Sequence, residues 1–478
     1  MDDKLLSALK HTFNYTCFRP LQLNIMQDMI LNNDMLVLMP TGAGKSICYQ
    51  LPAIVQGGLT IVISPLISLI YDQIADLKKH GVLAHYWCTG APVGLREIFT
   101  DINEDKCNLF YTTPESFNTN EELRRLLHSV KVRRFIIDEA HCLSNWGHDF
   151  RSSYLKLDIR DEFPEVPICG FTATATKLVC ADITERLHLK DPLMWMTSYV
   201  KPNISYNVSC KTDDSWRYIT GEVAKFIRTG GYTEQTGIIY CLSRKQCEIL
   251  SASLTKFNLS AGYYHASMPP DKKTETQQAW LDGKLKIIVA TIAFALGINK
   301  PDVRYVIHTS MPNSIEGYYQ QAGRAGRDGK PSVAMMFYSS TDKDALENMI
   351  NYEQQSKEAP VTPLHRISQM YRLCINRDDC FKVQLANYLG EYSVKTCTHR
   401  KDTSPCGPCK RGATGSAPPS SAIEKALSLI TGYVNIKHVQ MSLKDHRALN
   451  YLLNTEQVQT VVVGEAGNWS EMIFKTDP

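Results

Sequence analysis

Apolar runs of four to eight residues alternate with helical patterns from the N-terminus to about residue 340. The runs are LTIVISPL (59–66), FIIDEA (135–140), PICGFTAT (167–174), GIIYCLS (237–243), LKIIVAT (285–291) and VRYVIH (303–308). Strand-length apolar stretches spaced by helices predict parallel sheets covered on both faces, an α/β fold, with functional residues on the loops after the strands' carboxyl ends. The stretch from Met194 to Asn207 reads as an extended connector between two such units. After Tyr338 the pattern turns polar and helical (342–355), then cysteine-rich, and RGATGSAPPSS (411–421) reads as a linker.

The strand-like run at 35–38 leads into MPTGAGKS (39–46). Gly42 and Gly44 let the backbone curl so that its N–H groups face phosphate oxygens; Lys45 supplies a point charge and Ser46 a hydroxyl for Mg²⁺. Met39, Pro40, Thr41 and Ala43 complete this loop, although Met39 stands where the full phosphate-loop pattern has its first glycine. In FIIDEAH (135–141), Asp138 is placed at a strand end to hold Mg²⁺, and Glu139 to orient and deprotonate a water. His141 is placed to relay the state of the γ-phosphate. Upstream, FNYTCFRPLQ (13–22) offers Arg19 and Gln22 for adenine, a weak signal that a plain helix start explains as well.

Aromatic residues recur in NWGHDFRSSY (145–154), where Asn145, Trp146, His148, Phe150, Arg151 and Tyr154 suit stacking and charge contacts with unpaired bases. FTATAT (171–176) runs a strand into hydroxyl residues, one of them a candidate helix cap. SIEGYYQQAGRAGRDG (314–329) repeats Gly-Arg. Read as one helical turn, it projects Arg324 and Arg327 to one side, as fixed guanidinium groups for charge on a transferring phosphoryl group, with Gln320 near the water. The active site then spans two lobes.

At 478 residues, with 44% apolar content and a net charge of +3, the chain reads as two to four globular domains on which any nucleic-acid surface must be local. No uncharged apolar run reaches the roughly 18 residues of a membrane span, and MDDKLLSALKHTF does not read as a leader. Most of the 15 cysteines are scattered as reduced core thiols. Cys374, Cys380, Cys397, Cys406 and Cys409 gather with His399, and the Cys406–Cys409 knuckle is half of a tetrahedral zinc site. Spacing leaves open which two others complete it.

With these ordered motifs, together with SPLISLIYDQ (64–73), TTPE (112–115), IIYCLSRKQCE (238–248) and ATIAFALGINKPDVRYVIH (290–308), the chain resembles RecQ-type DNA helicases of superfamily 2, most closely the eukaryotic Bloom-syndrome kind. The likeness runs from about residue 10 to about 412. It implies two RecA-like parallel-sheet lobes in tandem (1–196 and 197–345), a helical zinc-binding subdomain (346–412) and a short, partial winged-helix tail (413–478). It further implies ATP-driven 3′→5′ movement on single-stranded DNA, unwinding of forked or branched DNA in repair, recombination or replication, and a nuclear location. By the same likeness Arg327 is the leading arginine finger and Cys380 and Cys397 complete the zinc set. The chain departs from the family at Ala43, at Asn145 and at Ala295, Leu296 and Asn299.

Overall fold

The computed structural model describes residues 1–88, 91, 93–144, 151–294, 300–353, 361–376, 379–392, 394, 406–407, 425 and 427–428, and the backbone of three strands at 434–435, 458–465 and 468–475. It divides into two compact units, Met1–Tyr199 and Val200–Pro478.

The first unit is built on seven parallel strands: β1 (Met35–Leu38), β2 (Leu59–Ile63), β3 (His85–Trp87), β4 (Leu109–Thr112), β5 (Val132–Asp138), β6 (Ile168–Thr172) and β7 (Leu193–Met196). Their order is β3-β4-β2-β5-β6-β1-β7. Met35, Val37, Val62, Ile136 and Phe171 point to one face, where Leu5, Leu9, Ile25, Met29, Leu51, Ile70 and Leu77 from four helices bury them. The opposite face carries the Phe99–Phe110 and Phe117–Phe135 ring pairs. Continuous apolar strands follow from this two-sided cover.

The second unit holds six parallel strands: β8 (Ile204–Cys210), β9 (Thr236–Tyr240), β10 (Ala261–Tyr264), β11 (Ile287–Ala290), β12 (Val303–His308) and β13 (Ser332–Tyr338). The order is β10-β11-β9-β12-β13-β8. Ile239, Val289, Tyr305 and Ile307 pack against Ile219, Val223, Ile227, Leu250 and Leu254 of two helices. On the other face Tyr240 stacks on His308, whose ring lies 5.0 Å from that of Tyr318. A three-stranded antiparallel sheet, β14 (Val434–Asn435), β15 (Val458–Glu465) and β16 (Asn468–Lys475), has β16 at its centre.

The stretch read as a connector holds two edge strands, one in each sheet. β7 pairs along the whole of β1, and β8 along the whole of β13. Leu193, Met194 and Met196 are exposed, so β7 lacks the buried apolar signature that marks a central strand; register with β1, not hydropathy, defines it. Among the described residues, no helix is long and apolar enough to cross a membrane.

Candidate functional site

The loop after β1 is shaped by Gly42 (φ 85°) and Gly44 (φ 89°), both in the left-handed region that a side chain disfavours. It delivers Lys45 and Ser46 to the first turn of the helix Lys45–Gln56, whose N-terminal amides favour an anion. Lys45 Nζ donates to the Met39 carbonyl at 3.2 Å, which folds its ammonium back over the loop. Ala43 N–H donates to the Pro40 carbonyl at 3.0 Å. Arg19 donates to the Gly42 carbonyl, and Gln22 donates to the Gly44 carbonyl at 3.1 Å. Gln22 is buried, and its Oε1 accepts the Arg19 amide at 2.8 Å. Both side chains thus grip the glycine loop itself. That contact joins residues far apart in sequence, and no local signal announces it.

Asp138 closes β5 and is buried. Its Oδ2 accepts from Ser64 Oγ at 3.3 Å and Gln73 Nε2 at 3.4 Å, and its Oδ1 from the Glu139 amide at 3.1 Å. Burial, and then the neighbouring Glu139, push the carboxyl up to about 7 against the opposing pull of Lys45. Gln73 is itself held by Tyr49 Oη at 2.7 Å. Glu139 takes a left-handed backbone (φ 49°) without being glycine, a strain that marks functional turns. His141 Nδ1 lies 3.3 Å from Glu139 Oε2 and 2.9 Å from Thr172 Oγ1 at the end of β6. Glu139, His141 and Thr172 therefore form a contact chain between the ends of adjacent strands. Thr176 caps the following helix by accepting from Val179 N–H at 3.4 Å.

A buried carboxyl raised by desolvation, with the Ser46 hydroxyl and phosphate oxygens as further hard donors, suits Mg²⁺. The thiols of Cys380 and Cys406 are buried and 3.8 Å apart. Two sulfurs each about 2.3 Å from one tetrahedral zinc stand at about this separation. Cys397 and Cys409, and His399 beside them, lie outside the described residues. Among the described residues no group of three or more His, Cys, Asp or Glu could hold a metal ion. Cys374 is buried in the helix Val361–Ile375 with its sulfur 3.9 Å from that of Met336.

The arginine repeat departs from the expected helical turn. The helix Ile315–Ala322, capped by Ser314, stops before it, and residues 323–328 form consecutive turns. Gly326 explains the break: its φ is 58°, its N–H donates to the Val303 carbonyl at 2.8 Å, and a Cβ there would meet Ser332 Oγ at 2.7 Å. Arg324 is buried and Arg327 half-buried. Desolvation and the adjacent Arg324 draw Arg327 down to about 9. Gln320 is half-buried, whereas its neighbour Gln321 is buried and 2.8 Å from His308 Nε2. Burial lowers His308 to about 4, so a neutral ring donates its Nε2–H to Gln321 Oε1.

Of the residues read as contacting bases, Asn145, Trp146, His148 and Phe150 lie outside the described residues, as do Ala295, Leu296 and Asn299. Arg151 donates through Nη1 to the Pro65 carbonyl at 2.6 Å. Tyr154 is fully buried and donates to the Asp138 carbonyl at 3.0 Å, so it braces the acidic strand end and offers no ring to a base.

Three family models match in order: DEAD/DEAH box helicase over residues 19–182, helicase conserved C-terminal domain over 223–329, and RecQ zinc-binding over 340–410. Over 423 residues the chain is 39% identical to the RecQ-like DNA helicase blm-1 of Caenorhabditis elegans, a match covering 86% of this chain and 42% of that protein. It is 36% identical to the putative ATP-dependent DNA helicase Q1 of Caenorhabditis briggsae, covering 92% and 70% respectively. The chain thus spans less than half of the first relative's length. The structure of S. cerevisiae Dbp5 bound to RNA and ADP BeF3 superposes with a TM-score of 0.57 at 16% identity, over 73% of this chain and 90% of that one, a likeness of fold.

Proposed function

This chain belongs to the RecQ family of DNA helicases, and from that premise we propose that it is an ATP-driven motor moving 3′→5′ on single-stranded DNA and unwinding duplex or branched DNA. The observation that carries this reading is the buried Asp138 at the end of β5, raised to about 7, with Glu139, His141 and Thr172 in a contact chain beside it.

Lys45 and the amides of residues 42–46 bind the β- and γ-phosphates, while Arg19 and Gln22 hold the loop that carries them. Ser46 and Asp138 would hold Mg²⁺, which would neutralise charge developing on the phosphate oxygens. Glu139 orients the attacking water and accepts its proton, and His141 passes the event to Thr172. Gln320, Arg324 and Arg327 act on the transferring phosphoryl group, with Arg327 as the leading finger. Arg151 and the residues at 145–150 take the DNA strand. Cys380, Cys397, Cys406 and Cys409 would hold a structural zinc, since four thiolates leave no open position. The corresponding division is a nucleotide-binding lobe at 1–196, a second lobe at 197–345, a zinc subdomain at 346–412 and a tail at 413–478. The eukaryotic source of the relatives supports nuclear work on DNA in repair, recombination or replication.

The test is ATP turnover with and without single-stranded DNA. Stimulation by DNA is expected, together with its abolition in Lys45→Ala at unchanged circular dichroism. Turnover indifferent to DNA would refute the proposal.

A further inference from the structure

Within the second unit, the helix that begins at Cys380 is wired to the arginine turn. Cys380 is the N-cap residue of the helix Phe381–Tyr388 and its thiol sits 3.8 Å from that of Cys406. Three side chains of this helix reach the elements around Arg324 and Arg327. Buried Lys382 donates through Nζ to the Pro202 carbonyl at 3.2 Å. Tyr388 donates to buried Glu316 Oε1 at 2.8 Å, in the first turn of the helix Ile315–Ala322. Phe381 stacks on Tyr206 of β8 (centroids 5.6 Å apart) and meets Tyr318 edge-on at 5.9 Å.

Pro202 is flanked by the two residues that fix the carbonyls of the arginine turn. Lys201 Nζ donates to the Gly323 carbonyl at 2.8 Å, immediately before Arg324. Asn203 Nδ2 donates to the Gly326 carbonyl at 2.8 Å, immediately before Arg327, and to the Lys330 carbonyl at 2.9 Å. Each arginine therefore follows a carbonyl clamped from segment 201–203, and the middle of that segment is clamped in turn by Lys382. The helix that feeds the turn is clamped at its other end by Tyr388. Within the turn, Arg324 N–H donates to the Gln321 carbonyl and Ala325 N–H to the Ala322 carbonyl, both at 3.1 Å, and Gly326 takes the positive φ that lets the chain leave helical geometry.

We propose that Lys382 and Tyr388 are positioning residues for the arginine turn, so that the helix anchored at Cys380 sets the aim of Arg324 and Arg327. Lys382 acts through the Pro202 carbonyl, and Tyr388 through the Glu316 side chain on the helix that leads into the turn. This rests on the reading of those arginines as phosphoryl-stabilising groups. Their geometry matters because displacement of about 1 Å in such a group costs up to about a hundredfold in rate.

The test uses the full chain with zinc bound and measures DNA-stimulated ATP turnover, zinc content and thermal unfolding. In Lys382→Met, kcat falls about tenfold while KM for ATP stays within about twofold. Zinc content is unchanged. Tyr388→Phe, which removes one oxygen and keeps the ring, lowers kcat severalfold and stands in if Lys382→Met does not fold. In an Arg327→Lys background, Lys382→Met lowers turnover no further, since both changes act on one element. A general loss of structure would instead multiply with Arg327→Lys. Wild-type kcat in both Lys382→Met and Tyr388→Phe, or a multiplicative loss in the double variant, overturns the inference. An Arg327→Ala protein with full turnover overturns the underlying reading of the arginines, a result separate from the first.

Discussion

Replacing Asp138 by Asn should abolish Mg²⁺-dependent turnover and yet stabilise the nucleotide-free protein at neutral pH. The carboxyl ordinarily titrates at 3.8 and is lifted to about 7, chiefly by burial and then by Glu139. Between those values the folded chain holds a proton that the unfolded chain has released, so stability falls as pH rises through this window. The stability contributed by the protonated group is complete below 3.8 and lost above about 7. At about 1.4 kcal/mol per tenfold change in proton affinity, the cost of the bare carboxylate reaches at most about 4 kcal/mol. Asparagine escapes that cost, but with its oxygen kept toward Ser64 and Gln73 its NH₂ takes the place of Oδ1 and faces the Glu139 N–H, which donates there in the native site. One mismatched buried donor takes back about 2 kcal/mol. A net gain of about 2 kcal/mol remains, or roughly 4–8 °C for a unit of about 200 residues. Thermal unfolding without Mg²⁺ or nucleotide, at pH 5 and pH 8, measures it. The variant should exceed wild type at pH 8, the gap should narrow at pH 5, and Mg²⁺ with a nonhydrolysable nucleotide should restore the wild type alone. Equal stability at pH 8, or a wild type more stable than the variant there, would mean that the buried carboxylate carries no such cost.

Gly44→Ala places a Cβ 2.5 Å from Gln22 Nε2 at a φ of 89°. The left-handed strain of roughly 1–2 kcal/mol should raise KM for ATP about tenfold in steady-state assays. Cys406→Ser should lower zinc content and expose the helix Phe381–Tyr388 to limited proteolysis, because the thiol pair at its start is lost.

Strands β1, β2, β5, β6, β9, β11 and β12 are legible in the sequence, because they lie inside their sheets and burial on both faces makes each a continuous apolar run. The phosphate loop and the acidic strand end are legible for a different reason: their chemistry is local, carried by Gly42, Gly44 and Lys45 and by Asp138 beside Glu139. Edge strands β7 and β8 are not, since Met194 and Met196 are exposed and β8 reads ISYNVSC. Tyr154 has the spacing of a base-stacking residue and becomes a buried brace only because its hydroxyl reaches Asp138. Arg324 and Arg327 are identifiable as a pair, but their presentation on turns depends on Asn203, Lys201 and Val303, distant in sequence. Gln22 likewise shows its hold on the Gly44 carbonyl only in three dimensions.

The proposed motor is read out by strand displacement from a duplex carrying a single-stranded tail, with ATP supplied and the Lys45→Ala protein as control. Release of the strand from a 3′-tailed duplex is expected, dependent on ATP and absent in the control. Displacement from neither tail, or from a 5′-tailed duplex alone, would contradict it.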